Sequence, residues 1–301
     1  DTALLYGNQE QVGRALRQSG RARSEIWVTS KVGFFPPGSD KLWMYSADNV
    51  KGDEPASIDK CLQQLGVDYV DLMLLHNPIA SAAEYNAACL PHFFEHFNST
   101  GSDLAVRPSH LPDGSCLRDL ITTAKGMQAR EARDLAASRS VRERSWRALE
   151  EAQRAGKCRY IGVSNYPVPL LEEMKEYASV MPAINQVELH PGCALPELVS
   201  YARQCDMAVI GYGTGTFVSI TKSPLVTQLA EKHCVSKIQV VLRWMLQRGV
   251  VSIPRSTSKD HIHENLHITH FELSDDDMQE LDGLDRAYPF YWDSRPTIDT
   301  L

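Results

Sequence analysis

Four side chains that can move or orient a proton stand where the sequence predicts the ends of parallel strands. Asp1 and Tyr6 lie five positions apart, and Lys31 and His76 each close an apolar run with strand character. The carboxyl ends of parallel strands meet at one rim of an α/β barrel, so we expect the four side chains to converge. A phenol with a pKa of about 10 donates protons poorly at neutral pH, and a close ammonium favours the phenolate. Such a group suits the reduction of a carbonyl.

These residues belong to motifs that resemble the aldo-keto reductase superfamily. The motifs follow one another along the chain as Asp1-Thr2-Ala3-Leu4-Leu5-Tyr6-Gly7-Asn8, Ser30-Lys31 and His76-Asn77-Pro78. The resemblance implies an enzyme that reduces an aldehyde or ketone with NADPH, and possible use of NADH. A tyrosine after a strand is, taken alone, more typical of packing at a barrel rim. The four residue types in this order favour the catalytic interpretation.

The resemblance implies a role for each of the four residues. Tyr6 would be the general acid in carbonyl reduction and the general base in alcohol oxidation. Lys31 would favour the phenolate form of Tyr6, and Asp1 would hold Lys31 through an ion pair. His76 would orient the carbonyl as a neutral imidazole.

Alternating helical and strand patterns predict an α/β fold, and the resemblance implies a (β/α)8 TIM barrel. We predict strands over 26–31, 70–76, 158–163, 184–188, 207–212 and 250–253. We predict helices over 9–19, 56–65, 168–177, 195–205, 223–233, 236–248 and 259–267. Six strands fall short of eight. We therefore expect one barrel domain over 1–301 that lacks its first strand, its first helix and most of its second strand.

Two segments do not follow the barrel pattern. Residues 79–142 separate the strand ending at His76 from the next barrel unit, and we interpret them as an insertion or lid. Within it, 117–141 is rich in Ala, Arg and Glu and predicts one or two exposed helices. A metal site built from His92, His96 and His110 is disfavoured because no Cys or carboxylate completes it at ligand spacing. The C-terminal segment carries the aromatic run Tyr288-Pro289-Phe290-Tyr291-Trp292. The resemblance implies a specificity tail over 286–301, and the alternative is simple docking of the tail on apolar surface.

Polar residues after two later strands predict a site for a carboxamide. Hydroxyl and amide groups of Ser164, Asn165 and Gln186 offer donors and acceptors that match an amide. The resemblance implies that these three residues bind the nicotinamide amide and that Tyr212 stacks on its ring. Without the resemblance, such residues are more typical of ordinary loop hydrogen bonds.

A cation with hydroxyl groups after the last predicted strand indicates a phosphate site at the start of a helix. The resemblance makes it the pocket for the adenosine 2'-phosphate of NADPH, formed by Arg255, Ser256, Thr257 and His261. The same resemblance assigns Glu264 and Asn265 to the adenine. Where the resembled family usually has a second cation, this chain has His261, and histidine is mostly neutral at pH 7. We therefore expect a preference for NADPH that is weaker than is typical of the resembled family, with use of NADH possible.

Two further patterns bear on the cofactor. No Gly-x-Gly-x-x-Gly run opens a strand-helix unit, which argues against a Rossmann domain. The segment Gly213-Thr214-Gly215-Thr216 replaces a proline-containing loop of the resembled family. We predict a loop here that holds the pyrophosphate less rigidly.

Composition narrows the classes of partner. The chain has 301 residues, 43% hydrophobic and 23% charged, with a formal net charge of −7, which argues against nucleic acid. Seven cysteines contain no C-x-x-C pair, which suits a reducing compartment and argues against metal binding through them. No apolar run approaches the roughly 20 residues that cross a bilayer. We expect a cytoplasmic, monomeric enzyme with a small carbonyl substrate and no bound metal.

Two other functions compete with the reductase. One is an aldo-keto-reductase-like module that binds the cofactor with little or no turnover. The other is a lyase that forms a Schiff base on Lys31, since lysines at barrel strand ends perform that chemistry. The complete set of four residues favours the reductase over both.

Overall fold

The computed structural model describes residues 1–34, 52–78 and 128–286. Within these ranges helices alternate with parallel strands, which confirms the α/β class predicted from the sequence. The described residues form two compact units, the first ending at Ala183 and the second running from Ile184 to the end of the described chain.

The first unit carries a parallel sheet in the order β1-β2-β3. Its elements are α1 (Gln9–Gln18), β1 (Thr29–Val32), α2 (Glu54–Leu65), β2 (Val70–Leu75), α3 (Gln128–Arg154), β3 (Cys158–Ser164) and α4 (Val168–Met174). Lys31 stands opposite Leu74, and Leu74 opposite Gly162. Every residue of β2 is buried, as the apolar run predicts for a strand covered on both faces.

β1 begins three residues later than the sequence predicted. A short 3-10 turn occupies Arg23–Glu25, and the backbone N–H of Val28 donates to the Asp71 carboxylate at 2.8 Å. Arg23 and Arg159 contact the same buried carboxylate at 2.8 and 3.1 Å. Because the Asp71 carboxylate takes this N–H, Val28 bonds to the β2 backbone through its carbonyl alone, and β1 begins at Thr29.

The helix before β3 is longer and less exposed than predicted. α3 runs without a break from Gln128 to Arg154, whereas the sequence predicted one or two exposed helices over 117–141. The prediction of exposure over 117–141 is wrong at Ser138 and Val141, which are buried. The Arg142 guanidinium makes two hydrogen bonds to Glu173 of α4, at 2.9 and 3.0 Å. That paired contact satisfies the charge of a buried guanidinium.

The second unit carries a parallel sheet in the order β4-β5-β6. Its elements are β4 (Ile184–Glu188), α5 (Pro196–Gln204), β5 (Ala208–Tyr212), α6 (Thr214–Thr221), α7 (Pro224–His233), α8 (Lys237–Gln247), β6 (Val251–Ser252), α9 (Lys259–Leu266) and α10 (Asp275–Asp282). Glu188 stands opposite Tyr212, and Gly211 opposite Ser252.

The loop predicted after Tyr212 is wrong, because α6 begins at Thr214. Gly213 precedes the helix with φ +89°, a conformation that glycine adopts readily. A side chain there would also crowd Glu188 and His190. Phe217 of the helix stacks on the buried His190 ring, with the ring centroids 5.0 Å apart. This packing outweighs the low helix propensity of a segment rich in glycine and threonine.

α10 was not predicted, although its capping residue is visible in the sequence. The Ser274 hydroxyl accepts a hydrogen bond from the Asp277 N–H at 3.2 Å. The buried Asp277 carboxylate then accepts from Lys232 at 2.7 Å and is 2.9 Å from the His233 ring nitrogen. One carboxylate therefore joins α10 to the end of α7.

We predict that Asp277→Asn destabilises the protein most near neutral pH. Burial raises the pKa of Asp277, but the hydrogen bonds from Lys232, His233 and Ser274 outweigh it and lower the pKa from 3.8 to about 2. The stabilisation is therefore complete above pH 3.8 and is lost as the pH falls through about 2. Urea unfolding near pH 7 should show a loss of roughly 1–3 kcal/mol.

Asp275→Asn is the matched control, since Asp275 is an exposed carboxylate in the same first turn of α10. It should change stability by less than about 0.5 kcal/mol. The difference between wild type and Asp277→Asn should shrink towards pH 2. A difference that is constant from pH 7 down to the acid transition would contradict the prediction.

Several predicted features lie outside the described residues. These are the histidines at 92, 96 and 110, most of the 79–142 insertion, and the aromatic run 288–292. In the ranges that are described, no helix is long and apolar enough to cross a membrane, and no His, Cys, Asp or Glu cluster could hold a metal. Cys61, Cys158, Cys205 and Cys234 are free thiols. The cytoplasmic location and the monomeric state stay predictions.

Candidate active site

Lys31 is the centre of a polar cluster at the carboxyl end of β1. Its ammonium donates to the Asp1 carboxylate at 2.5 Å, to the Thr2 carbonyl at 3.0 Å and to the Tyr6 hydroxyl oxygen at 3.3 Å. The lysine side chain is 1% exposed, whereas Tyr6 is 49% exposed. The cluster therefore buries the cation and leaves the phenol accessible.

The backbone around Tyr6 is fixed to β1 by hydrogen bonds. The Thr2 N–H donates to the Thr29 carbonyl at 2.9 Å, which continues the edge of the strand. Residues Leu4–Tyr6 then form one 3-10 turn, closed by Gly7 in the left-handed region with φ +64°. This turn brings Tyr6 back towards Lys31, near the end of β1.

The charge on Lys31 is opposed by burial and supported by its contacts. Burial lowers the pKa of Lys31 below its ordinary value of 10.5, and the adjacent Tyr6 oxygen partly offsets that shift. A buried ammonium is costly unless it is paired and hydrogen-bonded, and the Asp1 carboxylate provides the opposite charge. The Lys31 nitrogen also lies 5.0 Å from the centre of the Tyr6 ring.

His76 follows β2 and completes the cluster. Its N–H donates to the Val32 carbonyl at 2.9 Å, so the β1-β2 ladder extends to the histidine backbone. Its ring meets the Tyr6 ring edge-on, with the centroids 5.6 Å apart. The structure thus brings together all four residues that the sequence selected as catalytic: Asp1, Tyr6, Lys31 and His76.

The structure places two predicted cofactor residues beside this cluster. The Asn165 amide donates to the His76 carbonyl at 3.1 Å and to the Ser164 hydroxyl at 3.2 Å. Asn165 has φ +63°, a left-handed conformation that asparagine tolerates better than most residues. Ser164 and Asn165, at the carboxyl end of β3, therefore lie beside His76, which follows β2.

The other predicted cofactor residues belong to the second unit. Gln186 is buried in β4 opposite Ile210, and Tyr212 ends β5, where its carbonyl accepts from the Leu189 N–H at 3.0 Å. Arg255, Ser256 and Thr257 follow β6, while His261, Glu264 and Asn265 lie on α9. The Ser258 hydroxyl caps that helix by accepting from the His261 N–H at 3.4 Å.

The α9 region fits an adenine nucleotide in charge and hydrogen bonding. Arg255 and His261 are exposed at the start of the helix, where the helix N-terminus favours an anionic group. The Asn265 side-chain oxygen is buried, and no other described residue donates to it. An acceptor of this kind matches the exocyclic amino group of adenine.

Sequence reasoning assigned no role to several polar residues around these strands. Glu188 and His190 are buried and lie 3.2 Å apart, and their packing holds the start of α6. Asn77 is fully buried next to His76 and donates to the Phe34 carbonyl at 2.8 Å. In the sequence, each of these polar residues stands at or just after the end of an apolar strand. Burial at such a position requires a hydrogen-bonding partner.

Comparison with known proteins identifies the family. A family model described as the aldo/keto reductase family matches residues 1–286. The chain belongs to the aldo/keto reductase family. The predicted resemblance is confirmed, and the chain is a member of an oxidoreductase family.

Two curated relatives illustrate the similarity. The chain is 32% identical over 286 residues to a glyoxal reductase of Bacillus subtilis (strain 168), with 95% of this chain and 78% of that protein covered. It is 31% identical over 320 residues to an NADPH-dependent D-xylose reductase of Meyerozyma guilliermondii, with 99% and 87% covered.

Solved structures confirm the predicted fold class, the barrel fold of this family. An aldo/keto reductase from Brucella melitensis is 27% identical with a TM-score of 0.68, covering 95% of this chain and 83% of that one. A Bombyx mori aldo-keto reductase in complex with NADP is 23% identical with a TM-score of 0.67, covering 96% and 78%. NADP and NADPH, named for these relatives, match the cofactor expected from the sequence. The missing first strands, the single domain and the roles of individual site residues stay predictions.

Proposed function

We propose that this chain reduces an aldehyde or ketone to an alcohol with NADPH, with Tyr6 as the proton donor. The observation that carries the proposal is the Lys31 ammonium, which contacts both the Asp1 carboxylate and the Tyr6 hydroxyl oxygen. The names of the relatives, which include a glyoxal reductase and an NADPH-dependent D-xylose reductase, support it.

The proposed chemistry divides between the cofactor and the four residues. When bound, the dihydronicotinamide supplies the hydride that reduces the carbonyl carbon. Tyr6 donates its hydroxyl proton to the carbonyl oxygen, and Lys31 stabilises the phenolate that remains. Asp1 keeps Lys31 in place, and His76 orients the carbonyl oxygen towards the Tyr6 hydroxyl. In the reverse direction, the Tyr6 phenolate accepts the alcohol proton.

The remaining predicted residues would bind the cofactor. Ser164, Asn165 and Gln186 would hold the nicotinamide amide, and Tyr212 would stack on its ring. The phosphate and adenine would be bound around the start of α9, by Arg255, Ser256, Thr257, His261, Glu264 and Asn265.

The contacts of Lys31 argue against a Schiff-base lyase. Such chemistry requires an accessible neutral amine that can attack a substrate carbonyl. The Lys31 side chain is 1% exposed, and its nitrogen already donates to three oxygen atoms. The accessible group at this site is the Tyr6 phenol, which is the arrangement that the reductase proposal requires.

The direct test is turnover with a reactive aldehyde. The protein is mixed with NADPH and para-nitrobenzaldehyde, and the loss of NADPH absorbance is followed with alcohol formation. We expect NADPH to be consumed in equal amount to the alcohol formed. Saturable NADPH binding, measured by protein fluorescence, without turnover on a panel of aldehydes and ketones would instead favour the cofactor-binding module.

We predict that the preference for NADPH over NADH is smaller than about a thousandfold in catalytic efficiency, which corresponds to about 4 kcal/mol. The physical reason is that the exposed His261 stands where the resembled family usually has a permanent cation. His261→Arg should raise the preference by roughly tenfold or more, because a hydrogen bond to a charged group contributes about 1.5–3 kcal/mol. Steady-state kinetics with both cofactors measure the ratio.

His263→Arg is the matched control for this prediction. His263 is also exposed on α9, two residues further along, and receives the same added charge. It should change the ratio by less than about threefold, since exposed charges away from the phosphate are screened by salt. Equal effects of the two substitutions would show that general charge, rather than a contact from position 261, sets the preference.

A further inference from the structure

We propose that Phe34 and Asn77 are positioning residues that fix the orientation of the His76 imidazole against Tyr6. The proposal rests on the proposed reductase function, because it assigns new residues to the same site. It concerns residues that act through His76 and have no role in the cofactor assignments above.

The His76 ring is packed between two aromatic rings. The Phe34 ring meets it edge-on, with the centroids 4.9 Å apart and an interplanar angle of 75°. The Tyr6 ring meets it in a similar edge-on arrangement at 5.6 Å and 82°. Edge-to-face contacts have a preferred geometry, so each restricts rotation of the imidazole. With Phe34 and His76 buried, the imidazole has little room to turn.

The Phe34 ring depends in turn on Asn77. Phe34 lies two residues beyond the last residue of β1. The Asn77 amide donates to the Phe34 carbonyl at 2.8 Å, and Asn77 is fully buried. Because Asn77 directly follows His76, the bond joins the segment carrying the imidazole to the segment carrying its aromatic neighbour.

The backbone of His76 is held independently from both sides. Its N–H donates to Val32 at the end of β1, and its carbonyl accepts from the Asn165 amide after β3. These bonds fix the position of the main chain but leave the two side-chain torsions of the histidine unset. The rings of Phe34 and Tyr6 limit those torsions.

Orientation matters because only a correctly aimed ring nitrogen can hydrogen-bond the substrate carbonyl. Hydrogen bonds weaken steeply when their angle departs from linearity, and a displacement of about 1 Å can cost on the order of a hundredfold in rate. Loss of the contacts that hold the His76 ring should therefore slow the chemical step far more than it weakens cofactor binding.

The first test replaces each residue by leucine. Asn77→Leu keeps the approximate volume and removes the hydrogen-bond donor, while Phe34→Leu keeps the backbone carbonyl and removes the ring. We expect each variant to lose roughly ten- to a hundredfold in kcat, with the Kd of NADPH changed by less than about threefold. Because the Asn77 bond ends on backbone, Phe34→Leu tests the ring contact even where Asn77→Leu does not fold.

The double variant tests whether the two residues act through one route. If Asn77 acts by holding the Phe34 ring, removal of the ring makes the amide irrelevant, and the double variant loses no more kcat than the worse single variant. Losses that multiply in full would overturn the proposal. So would a kcat within about twofold of wild type in both folded single variants.

A spectroscopic measurement separates this proposal from the proposed function. The chain has ten histidines, and selective nitrogen-15 labelling with a His76→Gln variant assigns the His76 ring signals. Asn77→Leu and Phe34→Leu should shift or broaden those signals, whether or not the wild type turns over a carbonyl. Unchanged signals in both variants would overturn the positioning role, whereas absent turnover in the wild type would overturn only the reductase function. Asp277→Asn, which loses stability in the second unit, should leave the signals unchanged.

Discussion

Tyr6→Phe should abolish measurable carbonyl reduction while leaving NADPH affinity within about threefold of wild type. The substitution keeps the ring that packs edge-on against His76 and removes only the hydroxyl that lies 3.3 Å from Lys31. A positioned general acid contributes about 10²–10⁴-fold to a rate. Turnover with para-nitrobenzaldehyde and NADPH fluorescence titration measure the two quantities separately.

Tyr160→Phe is the matched control, because Tyr160 is 47% exposed, nearly as much as Tyr6, and stacks on Trp27. It should keep the wild-type rate. Tyr160→Phe should unfold within about 0.5 kcal/mol of wild type. Tyr6→Phe also removes one of the three hydrogen bonds of Lys31 and should lose roughly 0.5–1.5 kcal/mol. A Tyr6→Phe enzyme with more than about a tenth of the wild-type rate would assign the proton to another group.

The four-residue cluster could be predicted because its geometry follows from the order of the chain. Lys31 and His76 end adjacent parallel strands, and strand ends fix both position and direction without detailed packing. Asp1 and Tyr6 are joined to Lys31 by a short turn, so their convergence needs little more than the correct sheet. The relative positions of the four residues thus follow from their order in the chain and from the pairing of β1 with β2.

Features that depend on contacts distant in sequence could not be predicted. Arg142 is buried because Glu173, 31 residues further along, accepts both of its hydrogen bonds. α6 forms despite its glycines because Phe217 packs on His190, and Asn77 acquires its partner from Phe34, 43 residues earlier. In each case a tertiary contact overrides a local preference. The capping signal of α10, in contrast, was present in the sequence and overlooked.

Lys31→Met should remove both activity and stability, and the two losses have separate causes. Methionine fills most of the space of the lysine chain but cannot stabilise a phenolate, so the rate should fall at least as far as in Tyr6→Phe. It also leaves the Asp1 carboxylate, 19% exposed, without its cation. Removal of one partner from a buried ion pair costs about 3–5 kcal/mol, which urea unfolding near pH 7 would detect.

The control is Lys157→Met, which removes the ammonium of another lysine–aspartate pair in the same unit. Lys157 and Asp59 are 35% and 60% exposed, so water screens the pair and its loss should cost less than about 1 kcal/mol. Adding Asp1→Asn to Lys31→Met should recover part of the stability, because the unpaired carboxylate is removed, but should restore no activity. Recovery of turnover in that double variant would mean that Lys31 serves only to balance the charge of Asp1. A rate loss that survives the stability rescue instead assigns the ammonium to the chemistry of Tyr6.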